Sequence, residues 1–280
     1  MGTSRDIPTA AGGPGTPAIA LRNVALSFDA KRVLRDVSFE VPRAGTLVLL
    51  GVSGSGKSVL LKLMLGLLKP DCGEVRVDGE DLVPLPETEI NAFRRRMGIV
   101  FQEGALFDSL SVYENVSYRL REDHKREEEE IRERVQQVLG FVDMGDAIDK
   151  MPAELSGGMR RRVAIARAIA SQPSIMLYDS PTAGLDPVTA NTINSLIVKS
   201  RDAQHVTSII VTQRIQDGLM VSSFVFSAEK QRLVPAEAGN GAGAALDTQF
   251  VLLRDGTVYF RGNRQELLSS REPYLRRFIE

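Results

Sequence analysis

The chain has a single cysteine, Cys72, and two histidines, His124 and His205, among 280 residues. A lone cysteine excludes an intramolecular disulfide and suits a reducing compartment. An excess of either charge is also missing. Thirty-five Lys and Arg stand against 36 Asp and Glu, a formal net charge of −1. A domain that binds nucleic acid generically is strongly basic, so no nucleic-acid partner is expected. Long apolar runs are absent too. The richest, Leu60–Leu68, is short and interrupted by Lys62, against about 20 residues needed to span a bilayer. The N-terminus shows no basic-then-apolar leader. These absences predict a cytoplasmic chain that reaches a membrane only through a partner. What remains is ordinary globular composition, 43% apolar and 25% charged, enough for one large domain with or without a small appendage.

The strongest pattern is Gly51-Val-Ser-Gly-Ser-Gly-Lys-Ser58. It matches a phosphate-binding loop: Gly, four residues, Gly-Lys, then Ser or Thr. Gly51, Gly54 and Gly56 let the backbone turn tightly and approach an anion. Backbone N–H groups, including those of Ser53 and Ser55, can then converge on phosphate oxygens. Lys57 reaches the outer phosphates in such loops, and the Ser58 hydroxyl ligates Mg²⁺. Thr46–Leu50 reads as a buried strand before the loop and Val59–Leu68 as a helix after it, which puts the anion on a helix N-terminus.

Elsewhere the pattern predicts the following. Met1–Pro17, rich in Gly, Pro, Thr and Ala, reads as a disordered tail. Ala18–Pro42 alternates as antiparallel strands with a break at Asp29–Lys31, and Gly73–Asp78 reads as another short strand. Gly98–Gln102 is a strand candidate. The mixed charges of Arg121–Arg134 lead into a helix whose apolar residues are Ile131, Val135, Val138, Leu139 and Val142. Ser156 is placed as the N-cap of a helix over Met159–Ala170. Ser174–Tyr178 and Val206–Thr212 are buried-strand patterns, and strands alternating with helices predict an α/β fold with a mostly parallel sheet. Residues 229–248 read as a flexible insertion, Phe250–Phe260 as a hairpin, and Gln265–Ile279 as a terminal helix.

Three further segments fall in a telling order. Ile175-Met-Leu-Tyr-Asp179 ends four apolar residues on a carboxylate suited to holding Mg²⁺. Leu155-Ser-Gly-Gly-Met159 lies just upstream. Gln102 lies between the phosphate loop and that pair. Together they resemble the ATP-binding subunits of ABC transporters, over about Ala18 to Glu280. The resemblance implies a P-loop NTPase of ABC type with a mostly parallel core sheet, an N-terminal antiparallel β layer and an inserted helical subdomain at about 87–170. The ATP-binding domain then covers 18–228, and 249–280 is a C-terminal hairpin and helix. It also implies roles. Phe28 matches the aromatic that stacks on adenine, and Gly51–Ser58 the phosphate cradle. Gln102 matches the glutamine near Mg²⁺ and the γ-phosphate. Ser156, Gly157 and Gly158 match the segment that binds the γ-phosphate held by the opposite subunit. Asp179 matches the Mg²⁺-associated aspartate and Asp186 the end of the loop that crosses the dimer. ATP and Mg²⁺ are the implied cofactors. The implied assembly is a homodimer beneath an integral-membrane permease, on the cytoplasmic face of the inner membrane. Phe101–Phe107 followed by Ser111–Val116 is similar to the Mla or Mce-type lipid transporters, which adds an Mce-type lipid-binding component. The Gln102–Tyr118 surface would meet the permease.

Two positions depart from that family's pattern. Ser180 stands where the family has a catalytic glutamate, and Gln213 where it has a switch histidine. Neither a hydroxyl nor an amide titrates near neutral pH. Asp186 and Glu103 are the remaining candidates for a base. The expectation is retained ATP binding and closure with slowed hydrolysis. Normal turnover compensated elsewhere stays open, as does an ATP-gated regulatory or scaffolding subunit that does not hydrolyse.

Overall fold

The computed structural model describes residues 15–29, 31–122, 126–236 and 247–279. From the N-terminus come β1 (Ile19–Phe28), β2 (Lys31–Val41), β3 (Thr46–Gly51), α1 (Lys57–Met64), β4 (Cys72–Val77), β5 (Glu80–Asp81), α2 (Glu87–Arg94) and β6 (Met97–Val100). Three helices follow: α3 (Val112–Glu122), α4 (Glu128–Phe141) and α5 (Gly157–Ala170). The chain then alternates β7 (Ile175–Asp179), α6 (Pro187–Gln204), β8 (Thr207–Thr212) and α7 (Ile215–Ser223). It closes with β9 (Phe224–Ser227), β10 (Arg232–Pro235), β11 (Thr248–Arg254), β12 (Thr257–Asn263), α8 (Arg264–Ser269) and α9 (Pro273–Ile279).

The core is a six-stranded sheet in the order β12-β11-β3-β8-β7-β6, parallel except for β12 at its edge. A second, antiparallel sheet runs β2-β1-β4-β5. Central strand β3 shows why its sequence lacks alternation. Neighbouring side chains on a strand face opposite ways, and a strand covered on both faces must be apolar on both. Leu47 and Leu49 join Leu60, Leu63 and the antiparallel layer in one cluster. Val48 and Leu50 join Phe250, Leu252, Leu267 and Leu275 in another. Helices α3 to α5 form the third cluster, in which Val116, Leu120, Ile131, Val135, Val138 and Val163 pack with Tyr178 and Ile197. The apolar stripe anticipated on α4 is buried at every position, Val142 included.

Several expected boundaries shift. The C-terminal hairpin is no appendage to the 18–228 unit. β11 pairs in parallel with β3, Phe250 opposite Val48, and so lies inside the core sheet. The expected terminal helix is two helices, because Pro273 lacks an N–H and cannot sit in a helix interior; it instead opens α9. Within the expected flexible insertion, Arg232–Pro235 is a strand paired with β9, while 237–246 lie outside the described residues. The expected tail does so as well, apart from residues 15–17. Within the 87–170 segment, the strand expected at Gly98–Gln102 is present as β6, a strand of the core sheet. Among the described residues no helix is long and apolar enough to cross a membrane.

Candidate functional site

Only five residues, 52–56, separate β3 from α1. Gly51, just before them, and Gly56, the last of them, have no room for side chains. A Cβ on Gly51 would collide with Ser55 Oγ and come within 2.9 Å of the Leu253 carbonyl oxygen. Gly56, the N-cap of α1, has φ 102°, and a Cβ there would lie 2.7 Å from Leu34 Cδ2. Gly54 also has a left-handed backbone, with φ 76°. No side chain caps α1, and its first turn carries no acidic residue among the described residues. Its N–H groups therefore face the loop with a positive helix end behind them. Ser53, Gly54 and Ser58 are exposed, whereas Ser55, Gly56 and Lys57 are buried.

Lys57 is 6% exposed. Its Nζ donates to the carbonyls of Gly51 (2.8 Å) and Val52 (2.7 Å). Burial pushes its pKa below the ordinary lysine range, and the Asp179 carboxylate pulls it partly back. That attraction follows from topology. β8 lies between β3 and β7, with Leu50 opposite Thr212 and Val211 opposite Asp179. The phosphate loop, Gln213 and the Asp179-Ser180 pair thus all leave the carboxyl ends of adjacent parallel strands, where open α/β sheets take ligands. These donors fit a magnesium nucleotide: a cradle that a single Cβ would fill, a buried cation, and a hydroxyl and carboxylate of the hard-oxygen kind that Mg²⁺ takes.

Ser180 occupies the turn after β7 with φ 49°. Its N–H donates to the Val211 carbonyl at 2.8 Å, and its Oγ donates to Asp179 Oδ1 at 3.2 Å. Gln213 is exposed just past β8. Acid–base work has no titrating side chain at either position.

The Leu-Ser-Gly-Gly stretch opens on a different groove. Ser156 caps α5, its Oγ accepting from the Met159 N–H at 3.3 Å, and the helix starts at Gly157, two residues earlier than the sequence pattern suggests. Gly158 packs so closely on α6 that a Cβ would come 2.5 Å from Thr189 Cγ2. Gln102, Glu103, Gly157, Gly184 and Leu185 line a groove of about 640 Å³. Asp186 caps α6, accepting from the N–H groups of Val188 and Thr189, both at 3.0 Å. Hydrogen bonds from Thr189, side chain and backbone, hold its carboxyl below the usual carboxylate range. A carboxylate so occupied is a poor base, which leaves exposed Glu103 as the freer of the two candidates. Phe28 ends β1 and is 44% exposed. It stays on the antiparallel sheet, whose Leu34 abuts Gly56.

An aromatic shelf flanks the Gln102 loop. Phe107 and Tyr118, 44% and 43% exposed, stand with ring centroids 4.9 Å apart. The Arg167 guanidinium lies 5.7 Å from the Phe107 centroid and donates to the carbonyls of Ala105 and Gly104. Buried Asn115 ties the loop down. Its Oδ1 accepts from the Phe107 N–H at 2.8 Å, and its Nδ2 donates to the carbonyls of Phe107 and Leu110. Sequence reasoning missed Asn115 and Arg167. The available signal was a polar residue on an apolar helical stripe, since Asn115 shares the buried face of Val112, Val116 and Leu120.

The profile of the family described as ABC transporter matches residues 34–183. The probable ribonucleotide transport ATP-binding protein Mkl of Mycobacterium leprae is 37% identical over 262 residues, 94% of this chain and 68% of that protein. The intermembrane phospholipid transport system ATP-binding protein MlaF of Haemophilus influenzae is 36% identical over 252 residues, 89% of this chain and 96% of that protein. The dimeric ATP-binding cassette MJ0796 bound to ADP and Pi superposes with a TM-score of 0.72 at 28% identity, covering 88% of this chain and 98% of that one. With a nucleotide-cassette fold and a phosphate-type loop at the end of β3, this chain belongs to the ABC transporter family.

Proposed function

We propose that two copies of this chain close over Mg-ATP to drive lipid movement between membranes through an integral-membrane permease, and that each turn of hydrolysis is slow. The observation that carries the reading is an intact cradle beside an altered catalytic pair. Gly51–Ser58 keeps its glycines, its buried Lys57 and its link to Asp179, while Ser180 and Gln213 occupy the ends of β7 and β8. Lys57, the backbone N–H groups and, across the dimer, Ser156–Gly158 would hold the triphosphate. Ser58, Gln102 and Asp179 would hold Mg²⁺, which when bound neutralises charge on the phosphates. Phe28 would lie against the adenine, and the loop ending at Asp186 would cross the dimer.

The lipid assignment follows the MlaF relative, an intermembrane phospholipid transport ATP-binding protein, 96% of whose length this chain matches. The dimer follows the MJ0796 cassette. The Phe107–Tyr118 shelf, apolar yet exposed and pinned by Asn115, suits a permease helix. On this reading the chain sits at the cytoplasmic face of the inner membrane, and an Mce-type lipid-binding component completes the complex. A clamp that never hydrolyses is the second reading, favoured by the bond that ties Ser180 Oγ to Asp179.

The test is Ser180→Glu combined with Gln213→His in the permease-bound complex. General-base help is worth about 10²–10⁴ in rate, so turnover is expected to rise within that range while Mg-ATP affinity holds. Unsubstituted protein that already turns over as fast as the double variant contradicts the slow-enzyme reading. A double variant that stays inert, with nucleotide still bound, selects the clamp. Lipid recovered with the complex identifies the cargo.

A further inference from the structure

Asp217 lies on α7, 1% exposed, and no part of the nucleotide reading uses it. Its Oδ2 accepts from two hydroxyls at once, Thr182 Oγ1 at 2.7 Å and Thr212 Oγ1 at 2.8 Å. Its Oδ1 accepts from Asn194 Nδ2 of α6 at 3.0 Å, with Arg214 Nε 4.0 Å away. All three donors are themselves buried. A carboxylate this deep persists only if its lone pairs are occupied, and here they are.

The identity of the donors matters more than their number. Thr212 is the last residue of β8 and directly precedes Gln213; its Oγ1 also accepts the Arg214 N–H at 3.0 Å, so the Gln213 backbone is bracketed on both sides. Thr182 follows Ser180 by two residues. Its carbonyl accepts from the Leu185 N–H, and the Ala183 N–H returns to the Ser180 carbonyl at 3.1 Å, which closes the turn. The adjoining Ala183 carbonyl accepts from Arg161 Nη2 of α5 at 2.8 Å. One buried carboxylate therefore holds the turn after β7 and the turn after β8, and the first of these turns is bonded to the helix that carries Ser156–Gly158.

We propose that Asp217 is a positioning residue. It fixes the spacing of the Ser180 and Gln213 turns around the nucleotide, and through Thr182, Ala183 and Arg161 it sets the Ser180 turn against the Leu-Ser-Gly-Gly helix that serves the partner subunit. The proposal rests on the nucleotide reading above. Displacing reacting groups by about 1 Å costs about 10²-fold in rate, whereas ground-state affinity depends on the loop between β3 and α1, which Asp217 does not touch.

Thr212→Val removes one hydroxyl with almost no change of shape, and Thr212→Ser restores it. Asp217→Asn keeps the volume and can still bond its neighbours. Phosphate release in a single turnover, with protein in excess over labelled ATP, is measured beside equilibrium Mg-ATP affinity, thermal midpoint and amide exchange. The expected result is a fall of about 10-fold to 10²-fold in release for Thr212→Val and Asp217→Asn, with affinity unchanged and Thr212→Ser near the unsubstituted rate. Amide exchange should quicken at Ser180–Ala183 and Gln213–Arg214. Unchanged release in Thr212→Val overturns the proposal. So does a parallel loss of affinity and rate, or a Thr212→Ser protein as slow as Thr212→Val. Unsubstituted protein that fails to bind Mg-ATP sinks the nucleotide reading instead, whatever these variants do.

Discussion

A lysine 6% exposed and bonded to backbone carbonyls at 2.7 and 2.8 Å is held in readiness for an anion. Lys57→Met keeps much of the side chain's volume and removes the charge. It is expected to abolish detectable Mg-ATP binding in an equilibrium titration while the circular dichroism spectrum stays that of the unsubstituted protein. The lowered pKa adds a pH signature. The unfolded chain binds the Lys57 proton more tightly than the folded one does, so this group's contribution to stability rises with pH between the folded and unfolded values. Denaturant midpoints should therefore shift in favour of the unsubstituted protein over Lys57→Met as pH moves into the alkaline range. A difference that is flat with pH contradicts the buried, desolvated placement of the amine. Ser180 differs in kind. Nothing in the fold compels a serine there, and its left-handed backbone, φ 49°, is uncommon for a residue with a side chain. Strain of this kind, at the end of a central strand, is usual at functional turns.

Elements were legible to different degrees for physical reasons. The loop before α1 could be read because its glycines, lysine and serine are fixed by local backbone geometry. The α4 stripe could be read because one face of one helix is buried, which leaves a period in the sequence. The place of β11 could not be read. Phe250, Val251, Leu252 and Leu253 are all fully buried, and a continuous apolar run says that both faces are covered without saying by which strand. Adjacency in sequence suggested a hairpin, and β12 does supply one. The decisive pairing is with β3, about two hundred residues away. Long-range pairings leave no local trace, and neither do buried polar clusters such as Asp217 with Thr182, Thr212 and Asn194. The energetic weight of β11 can be measured. Phe250 is fully buried against Val48 and the α7 glycine Gly218, so Phe250→Ala is expected to cost about 3–5 kcal/mol in urea unfolding. A cost under about 1 kcal/mol would mean that the hairpin is peripheral.

For the molecule as a whole, the nucleotide reading draws on two groups of residues. The cradle, Asp179 and Ser180 gather at the carboxyl ends of β3, β7 and β8, whereas Ser156–Gly158 opens beside the groove lined by Gln102 and Leu185. A second copy would bring its Leu-Ser-Gly-Gly helix end to the first copy's cradle, and exposed Val188 beside the Asp186 cap would then be covered. If hydrolysis is slow, as proposed, this closed pair is expected to be long-lived. The measurement that tests the account most directly is the solution mass of the purified protein, by light scattering, with and without Mg-ATP. The account predicts the 30.7 kDa chain alone, a species of twice that mass with Mg-ATP, and no such species for Lys57→Met. A mass that does not respond to Mg-ATP at saturating nucleotide, or a dimer that Lys57→Met forms equally well, would contradict it.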